Sequence, residues 1–312
     1  VAIINTSLYR LYCIRKYGEC RFQFHWDKTR FKEICSYTGW NTFGAAVGVF
    51  KFQLVNILLN QYFSPVLIAA RGIANSVNAA VSSFAMNFSN AVRPQIIKLY
   101  AAKKKEEMLS FMFVSARYSF FLMAILAFPL CFEMEYVLGI WLKNIPDYTI
   151  VFTKLLLVDV IIDSISYNLG TGIQATGKIK WYQIIIGVLL MMNLPVSWLL
   201  LWLGFSPVSV LYVGICITGI AFICRLFFLK YLIVFSLRSS FVIKNLCLMA
   251  LVCILVLPIL YFVHSKLNGY FIFSLIAEYV IEGILFIFFG FTKQEKIRGF
   301  NFLKGKIYGK CK

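Results

Sequence analysis

Two aspartates, Asp159 and Asp163, stand one helical turn apart inside a long apolar stretch, 150–176. At roughly 100° per residue they share one face of a helix. Two ionised carboxylates at that spacing repel each other, so either one holds a proton or a cation bridges them. Ionisable groups in such apolar segments usually mark the path of an ion or a substrate. We interpret the two aspartates as ion-coupling residues.

Arg71 heads a polar stripe in a second stretch, 66–92. The stripe lies within about 60° on a helix and contains Arg71, Asn75, Asn78, Ser82 and Ser89. Because a guanidinium in an apolar segment needs hydration or a counter-ion, we expect this face to line a wet cavity that binds substrate, with helix packing as the alternative. A neighbouring polar face is expected to pack against another helix, and it contains Ser76, Ser83, Asn87 and Asn90.

Lys51 lies in a third stretch, 37–60, on the face that carries Gly44 and Gly48, where a helix or a cavity can approach closely. Lys51 and Asp159 each lie nine residues from one end of their stretches. If those ends are on the same side, both residues are about 13 Å deep and can pair. Two interpretations stay open: a buried ion pair that holds the helix register, or a substrate and ion site.

The remaining ionisable residues give weaker patterns. Arg117 lies about two turns into the stretch 109–133. If this stretch spans a membrane, Arg117 is predicted either to face a cytoplasmic vestibule that binds substrate or to extend to the lipid headgroups. Glu278 and Glu282 share a helical face and suit a basic partner or a groove. His25 and His264 fall in predicted loops without ligand spacing.

The sequence contains none of the motifs that mark common catalytic sites. The nine cysteines include no CxxC pair, and there is no Gly-rich phosphate loop, GxSxG or HExxH. We therefore expect no disulfide framework, no metal, no cofactor and no enzymatic activity. Without an ATP-binding motif, an ion gradient or the substrate's own gradient would supply the energy.

Eight apolar stretches must position these residues. They are 37–60, 66–92, 109–133, 150–176, 182–203, 208–229, 245–263 and 271–291. Hydrophobic residues make up 61% of the chain, against roughly 45–50% in soluble domains. Most stretches reach the roughly 20 residues that a membrane-spanning helix needs, and the alternation of a β-barrel is absent. The sequence predicts an all-α membrane protein, a polytopic helical bundle.

The basic residues predict the orientation. Alternate connections between the stretches hold 25 of the 31 Lys and Arg residues, whereas the other connections hold only Lys143 and Lys266. Short basic loops stay on the cytoplasmic side, so the C-terminus is expected there. The ends of the Lys51 and Asp159 stretches then face the same, outer side. The net charge of +18 lies beside the spans, which favours anionic headgroups over nucleic acid.

Prolines predict where the helices end or bend. Arg93-Pro94 is expected to end the second predicted span. Pro129, Pro195 and Pro258 lie inside spans and predict kinks.

Several short stretches together resemble the polysaccharide-repeat flippases of bacterial lipopolysaccharide (O-antigen) and capsule synthesis, within the exporter superfamily that includes multidrug transporters and lipid II flippases. They are SYTGWN (36–41), NILLN (56–60), AARGIA (69–74), AVRPQI (91–96), PDY (146–148) and TGIQATG (171–177). The similar order of segments covers nearly the whole chain.

The resemblance implies two six-helix bundles that work by alternating access, of which this chain would be the C-terminal part of a longer protein. The implied domains are a preceding span with a basic connector (1–36), the second bundle (37–229), an extra helix pair (230–292) and a basic cytoplasmic tail (293–312).

The implied substrate is a polyprenol-linked oligosaccharide, with other polysaccharide-assembly membrane proteins as further partners. In the family, cationic cavity residues attract the pyrophosphate, a role that falls here to Lys51 and Arg71. Three alternatives stay open: a drug–cation antiporter, a membrane-embedded polymerase or ligase, and a non-transporting scaffold.

Overall fold

The computed structural model describes residues 2–18, 26–233, 240–267, 270–292 and 295–297. The helices are α1 (Ala2–Lys16), α2 (Lys28–Tyr62), α3 (Pro65–Ala101), α4 (Lys105–Phe132), α5 (Met134–Trp141), α6 (Thr149–Ala175), α7 (Lys180–Met191), α8 (Asn193–Trp202), α9 (Ser209–Ile233), α10 (Ser240–Lys266) and α11 (Phe271–Leu285), the last continued by a π-helical turn (Phe286–Gly290). These described residues contain no strand. The prediction of an all-α polytopic bundle is confirmed.

Six helical segments in the described ranges are long and apolar enough to cross a membrane: α2, α4, α7 with α8, α9, α10 and α11 with its π-helical turn. The chain is therefore a multi-pass membrane protein. The other two predicted spans are α3 and α6, helices of 37 and 27 residues. These two helices carry the polar stripes that contain Arg71 and Asp159.

The chain separates into two units, Val1–Gly39 and Trp40–Lys312. The first contains α1 and the beginning of α2. In the second, α6 packs against α3, α4 and α9, and α10 packs on α4. Of the most apolar 18-residue window of α4, 67% is buried by protein, against 22% for α2 and 22% for α10. Helices α4 and α6 therefore form the interior, while α2 and α10 leave most of their apolar surface uncovered.

Two predictions about helix ends are wrong. Pro94 does not end the second span, because α3 continues through it to Ala101. Proline removes one backbone hydrogen bond, and at the exposed position of Pro94 the helix continues without that bond. His264 lies in the last turn of α10 rather than in a loop.

The predicted distortion at Pro195 is present. Helix α7 ends at Met191 and α8 begins at Asn193, two residues before the proline. Proline has no N–H to donate to the carbonyl four residues earlier, which is that of Met191. The connector residues 19–25, with His25, and the tail residues 298–312 lie outside the described residues.

Candidate functional site

The polar stripes of α3 and α6 meet α2 and α9 around one cavity, the central cavity, of about 320 Å³. Its lining includes Lys51, Arg71, Asn75, Asn78, Asp159, Asp163, Asn193, Thr218 and Arg225. Six of the seven residues predicted from the sequence as substrate-binding or ion-coupling thus line the same cavity. Asn193, the first residue of α8, is among these lining residues.

Arg71 is a buried cation of the central cavity that has no acidic partner among the described residues. Its side chain is 6% exposed, and its Nε and Nη1 atoms have no hydrogen-bond partner among the described residues. The guanidinium carbon lies 5.7 Å from the centre of the Phe52 ring. A cation–π contact offsets only part of the cost of burying a charge. The site is therefore suited to an anion that enters the cavity.

The two aspartates have different partners. Asp163 accepts a hydrogen bond from Arg225, with Nη1 and Oδ1 3.2 Å apart. Asp159 is within hydrogen-bonding reach of Thr218 and is attracted by Lys51, although its Oδ1 atom has no partner in the described part of the chain. Asp163 therefore has a direct cationic partner, whereas Asp159 has only a cation at longer range, and a proton or cation bound to Asp159 stays a prediction.

Lys51 and Asp159 line the same cavity, as their equal depth predicted. No N–O distance of 4.0 Å or less joins them, so they interact at longer range and do not form a direct ion pair. Lys51 is therefore available to an anion while it still attracts Asp159.

A second space, the Arg93 pocket, lies along the same two helices towards the basic end of α3 and has a volume of about 270 Å³. Arg93 donates a hydrogen bond to Gln174, with Nη2 and Oε1 3.0 Å apart. Ser89 donates to Asn168 over 3.0 Å. Arg225 lines both this pocket and the central cavity. The Arg225–Asp163 ion pair therefore stands where the two spaces meet.

The structure places Arg117 elsewhere. Its side chain is 1% exposed and is not among the residues that line the central cavity. It pairs with Glu295 and lies 5.3 Å from the centre of the Tyr118 ring. Both predictions for Arg117, a vestibule position and an extended position at the headgroups, are therefore wrong. Glu295 neutralises it within the protein.

The pKa of the Glu295 carboxyl reflects this pairing. Burial alone raises the pKa of its carboxyl, but hydrogen bonds from Thr292 and the charge of Arg117 outweigh that effect and hold the pKa below its usual value. The carboxylate accepts from the Thr292 backbone N–H and hydroxyl, each over 2.8 Å. The charges of the Arg117–Glu295 pair thus compensate each other, although the Nε atom of Arg117 has no hydrogen-bond partner among the described residues.

The described residues do not cover the second polar face of α3. Its four members, Ser76, Ser83, Asn87 and Asn90, are all exposed. The packing of this face against another helix stays a prediction. Because amide and hydroxyl groups are costly to place against hydrocarbon, this face calls for a polar neighbour or water.

Sequence reasoning missed three residues of the central cavity: Asn193, Thr218 and Arg225. Arg225 is one of the 25 basic residues assigned to the connections, although it lies within the apolar stretch 208–229. The position of this arginine inside an apolar stretch was the signal that could have identified it as a cavity residue. Asn193 and Thr218 are isolated polar residues in apolar stretches, and membrane helices commonly use such residues for packing.

Comparison of this chain with protein-family models, with curated proteins and with solved structures finds no match. The function must therefore be argued from the site itself.

Proposed function

We propose that this chain supplies the substrate-binding bundle of a flippase that moves polyprenol-pyrophosphate-linked oligosaccharide units across the bacterial inner membrane for lipopolysaccharide or capsule synthesis. The observation that carries the proposal is the central cavity, in which Arg71 presents a buried guanidinium without an acidic partner among the described residues. A pyrophosphate headgroup is the chemical complement of such a group.

The lining of the cavity suits a phosphorylated sugar. Arg71 would donate charge-assisted hydrogen bonds to phosphate oxygens. Asn75 and Asn78, about one and two turns further along the same face of α3, would offer amide groups to sugar hydroxyls. These contacts replace the water that the headgroup loses on entering the bilayer, where an unpaired charge is very costly.

The size of the cavity limits what it can hold. About 320 Å³ lies at the small end of the roughly 300–1,000 Å³ of ligand pockets. That volume suits the pyrophosphate and the sugar attached to it, and a longer oligosaccharide needs more space. We infer that a second bundle completes the pathway over the exposed polar face of α3, as alternating access between two bundles requires.

The carboxylates of the cavity suggest how transport is coupled. Asp159 attracts Lys51, so a proton or sodium ion bound to Asp159 would release Lys51 to the headgroup. The Asp163–Arg225 ion pair, where the central cavity meets the Arg93 pocket, would break and re-form as the pathway opens at one end. The protein in this proposal transports and does not catalyse a covalent reaction.

In the membrane, the protein would have a defined orientation and defined protein partners. The basic connections and the C-terminus would lie on the cytoplasmic side, against anionic headgroups. Polysaccharide-assembly proteins of the same membrane would supply and receive the substrate.

A drug–cation antiporter is the second candidate. The observation that favours it is the Oδ1 atom of Asp159, which lies in the cavity region without a hydrogen-bond partner among the described residues. An antiporter would bind organic cations there, and their binding would depend on Asp159 and not on Arg71.

The test is complementation of a flippase-null strain by the full-length protein, with surface polysaccharide as the readout. We expect Arg71→Gln to reduce surface polysaccharide at least about tenfold, the loss of one hydrogen bond to a charged group. The matched control is Lys98→Gln, an exposed residue on the same helix, which should complement normally. Immunoblots would equalise protein amounts. Normal polysaccharide from the Arg71→Gln variant would overturn the assignment.

A further inference from the structure

Three side chains from separate helices converge away from the central cavity. Glu133 directly follows α4, His264 lies in the last turn of α10, and Glu278 lies in α11. Their potential ligand atoms all lie within 4.8 Å of one another. The Nδ1 atom of His264 is 2.9 Å from Oε1 of Glu133 and 3.9 Å from Oε1 of Glu278. Together with Glu282, one turn beyond Glu278, they form what we call the hairpin cluster.

The carboxylates of the hairpin cluster are buried and only partly satisfied. Glu133 is 1% exposed and Glu278 0% exposed. Ser274 donates to Oε1 of Glu133 over 2.6 Å and lies 3.4 Å from Oε1 of Glu278. The Oε2 atoms of both glutamates, and both carboxylate oxygens of Glu282, have no partner in the described part of the chain. A buried oxygen without a donor leaves room for a further ligand.

The charges of the cluster do not balance. Three carboxyl groups face one imidazole, so a protonated His264 can balance only one of them, and each of the others must hold a proton or share a cation. Glu278 and Glu282 form no ion pair of 4.0 Å or less with Lys or Arg among the described residues. A hydrogen-bonded His264–Glu133 pair therefore does not account for the site. A divalent cation would supply the missing charge.

The ligand types narrow the class of cation. One imidazole nitrogen and two carboxylate oxygens match first-row transition ions such as Zn²⁺, which takes three protein ligands and keeps a position open. Ca²⁺ needs six to eight oxygen ligands, more than these side chains offer. His264 borders a cleft of about 770 Å³ and is 25% exposed. The cleft would give the ion an entry path and a water ligand.

We propose that Glu133, His264 and Glu278 bind one divalent transition-metal ion of the Zn²⁺ type. The ion joins the end of α4 to the α10–α11 hairpin, and Ser274 holds both carboxylates in position. Glu282 adds negative charge one turn away. This site shares no residue with the central cavity, so it stands or falls independently of the proposed transport function.

The test uses the full-length protein in detergent, stripped with chelator, with its thiols alkylated so that the cysteines cannot bind metal. Zn²⁺ is the probe, and its binding is measured by equilibrium dialysis and X-ray absorption. We expect one Zn²⁺ per chain, with nitrogen and oxygen ligands at about 2.0–2.2 Å. His264→Asn and Glu278→Gln should each weaken binding at least about 100-fold, and Ser274→Ala roughly tenfold, as outer-shell partners do.

Two control variants separate this site from adventitious binding. Glu135→Gln removes an exposed carboxylate of the same cleft, and His25→Asn removes the chain's other histidine. Both should leave the dissociation constant unchanged. Equal binding by wild type and by His264→Asn, or spectra without an imidazole ligand, would overturn the proposal. The absorption spectrum of the wild type keeps the test decisive if a variant fails to fold.

Discussion

The central cavity and the hairpin cluster both bury charge that the described protein does not fully compensate, and the signs are opposite. In the cavity, Asp163 pairs with Arg225, Lys51 attracts Asp159, and Arg71 remains as the excess cation. In the cluster, three carboxylates share one histidine. The cavity surrounds a volume, whereas the cluster holds its ligand atoms within 4.8 Å. An open cavity suits a substrate that enters and leaves, and convergent ligand atoms suit an ion that stays.

The largest expected effect tests whether the paired charges of the cavity depend on each other. Asp163→Asn leaves the partly buried Arg225 without its counter-charge and should lower the free energy of unfolding by about 2 kcal/mol, less than for a fully buried pair, since Asp163 is 34% exposed and solvent screens part of the attraction. Denaturation with SDS in mixed micelles would measure it. The double variant with Arg225→Gln should recover part of the loss. A change no larger than that of Lys98→Gln would contradict the pairing.

The next effect separates function from stability at Arg71. Arg71→Gln should weaken binding of a polyprenyl pyrophosphate by roughly 10- to 100-fold, because a charge-assisted hydrogen bond is lost. The same change should leave stability equal or higher, because an uncompensated buried charge is removed. Binding to protein in nanodiscs and thermal unfolding would be compared with Lys98→Gln. A large loss of stability would show that Arg71 is a structural residue.

Substitution of Glu278 in the hairpin cluster should change the stability of the protein in opposite directions with chelator and with Zn²⁺. With chelator, Glu278→Gln should raise the free energy of unfolding by about 1 kcal/mol, because it relieves repulsion between buried carboxylates. With saturating Zn²⁺ the wild type should become the more stable protein, since only it binds the ion tightly. Thermal unfolding in both conditions measures the reversal. The same ranking in both conditions would contradict the metal site.

The smallest effect concerns the ion pair of Arg117 and Glu295. Because its two charges balance, this pair is the reference for the central cavity and the hairpin cluster, where the charges do not balance. The pKa of Glu295 is held below its usual 4.5, so its contribution to stability is present above that value and is lost as pH falls through the folded-state pKa. We expect less than about 1 kcal/mol, because the carboxylate is only partly buried. Unfolding between pH 7 and 3.5 should show a smaller acid loss in Glu295→Gln. Identical pH profiles would exclude this contribution.

The central cavity was largely predictable because helical periodicity needs only local sequence. Arg71, Asn75 and Asn78 recur on one helical face, and so do Asp159 and Asp163. The equal depth of Lys51 and Asp159 in their predicted spans correctly placed both residues in the same cavity. Arg225 was missed because a cation near a basic connection resembles a topology signal. Arg117 was misassigned because its partner, Glu295, is 178 residues away in the chain.

The hairpin cluster was not predictable, and the reason is physical. Glu133 and His264 are separated by 131 residues and have no motif spacing. Only the packing of α10 and α11 on α4 brings them together. The neighbour of the exposed polar face of α3 was not predictable for a related reason, since a stripe of small polar residues does not specify which helix covers it.

By itself the sequence determined the class of the protein, the helices and the faces that carry polar groups, because hydrophobicity and helical periodicity are properties of neighbouring residues. Tertiary structure alone decided which charges became partners: Asp163 with Arg225, Arg117 with Glu295, and Glu133 with His264. An ion pair requires a distance of a few ångströms, and distances between helices are set by side-chain packing across the whole bundle.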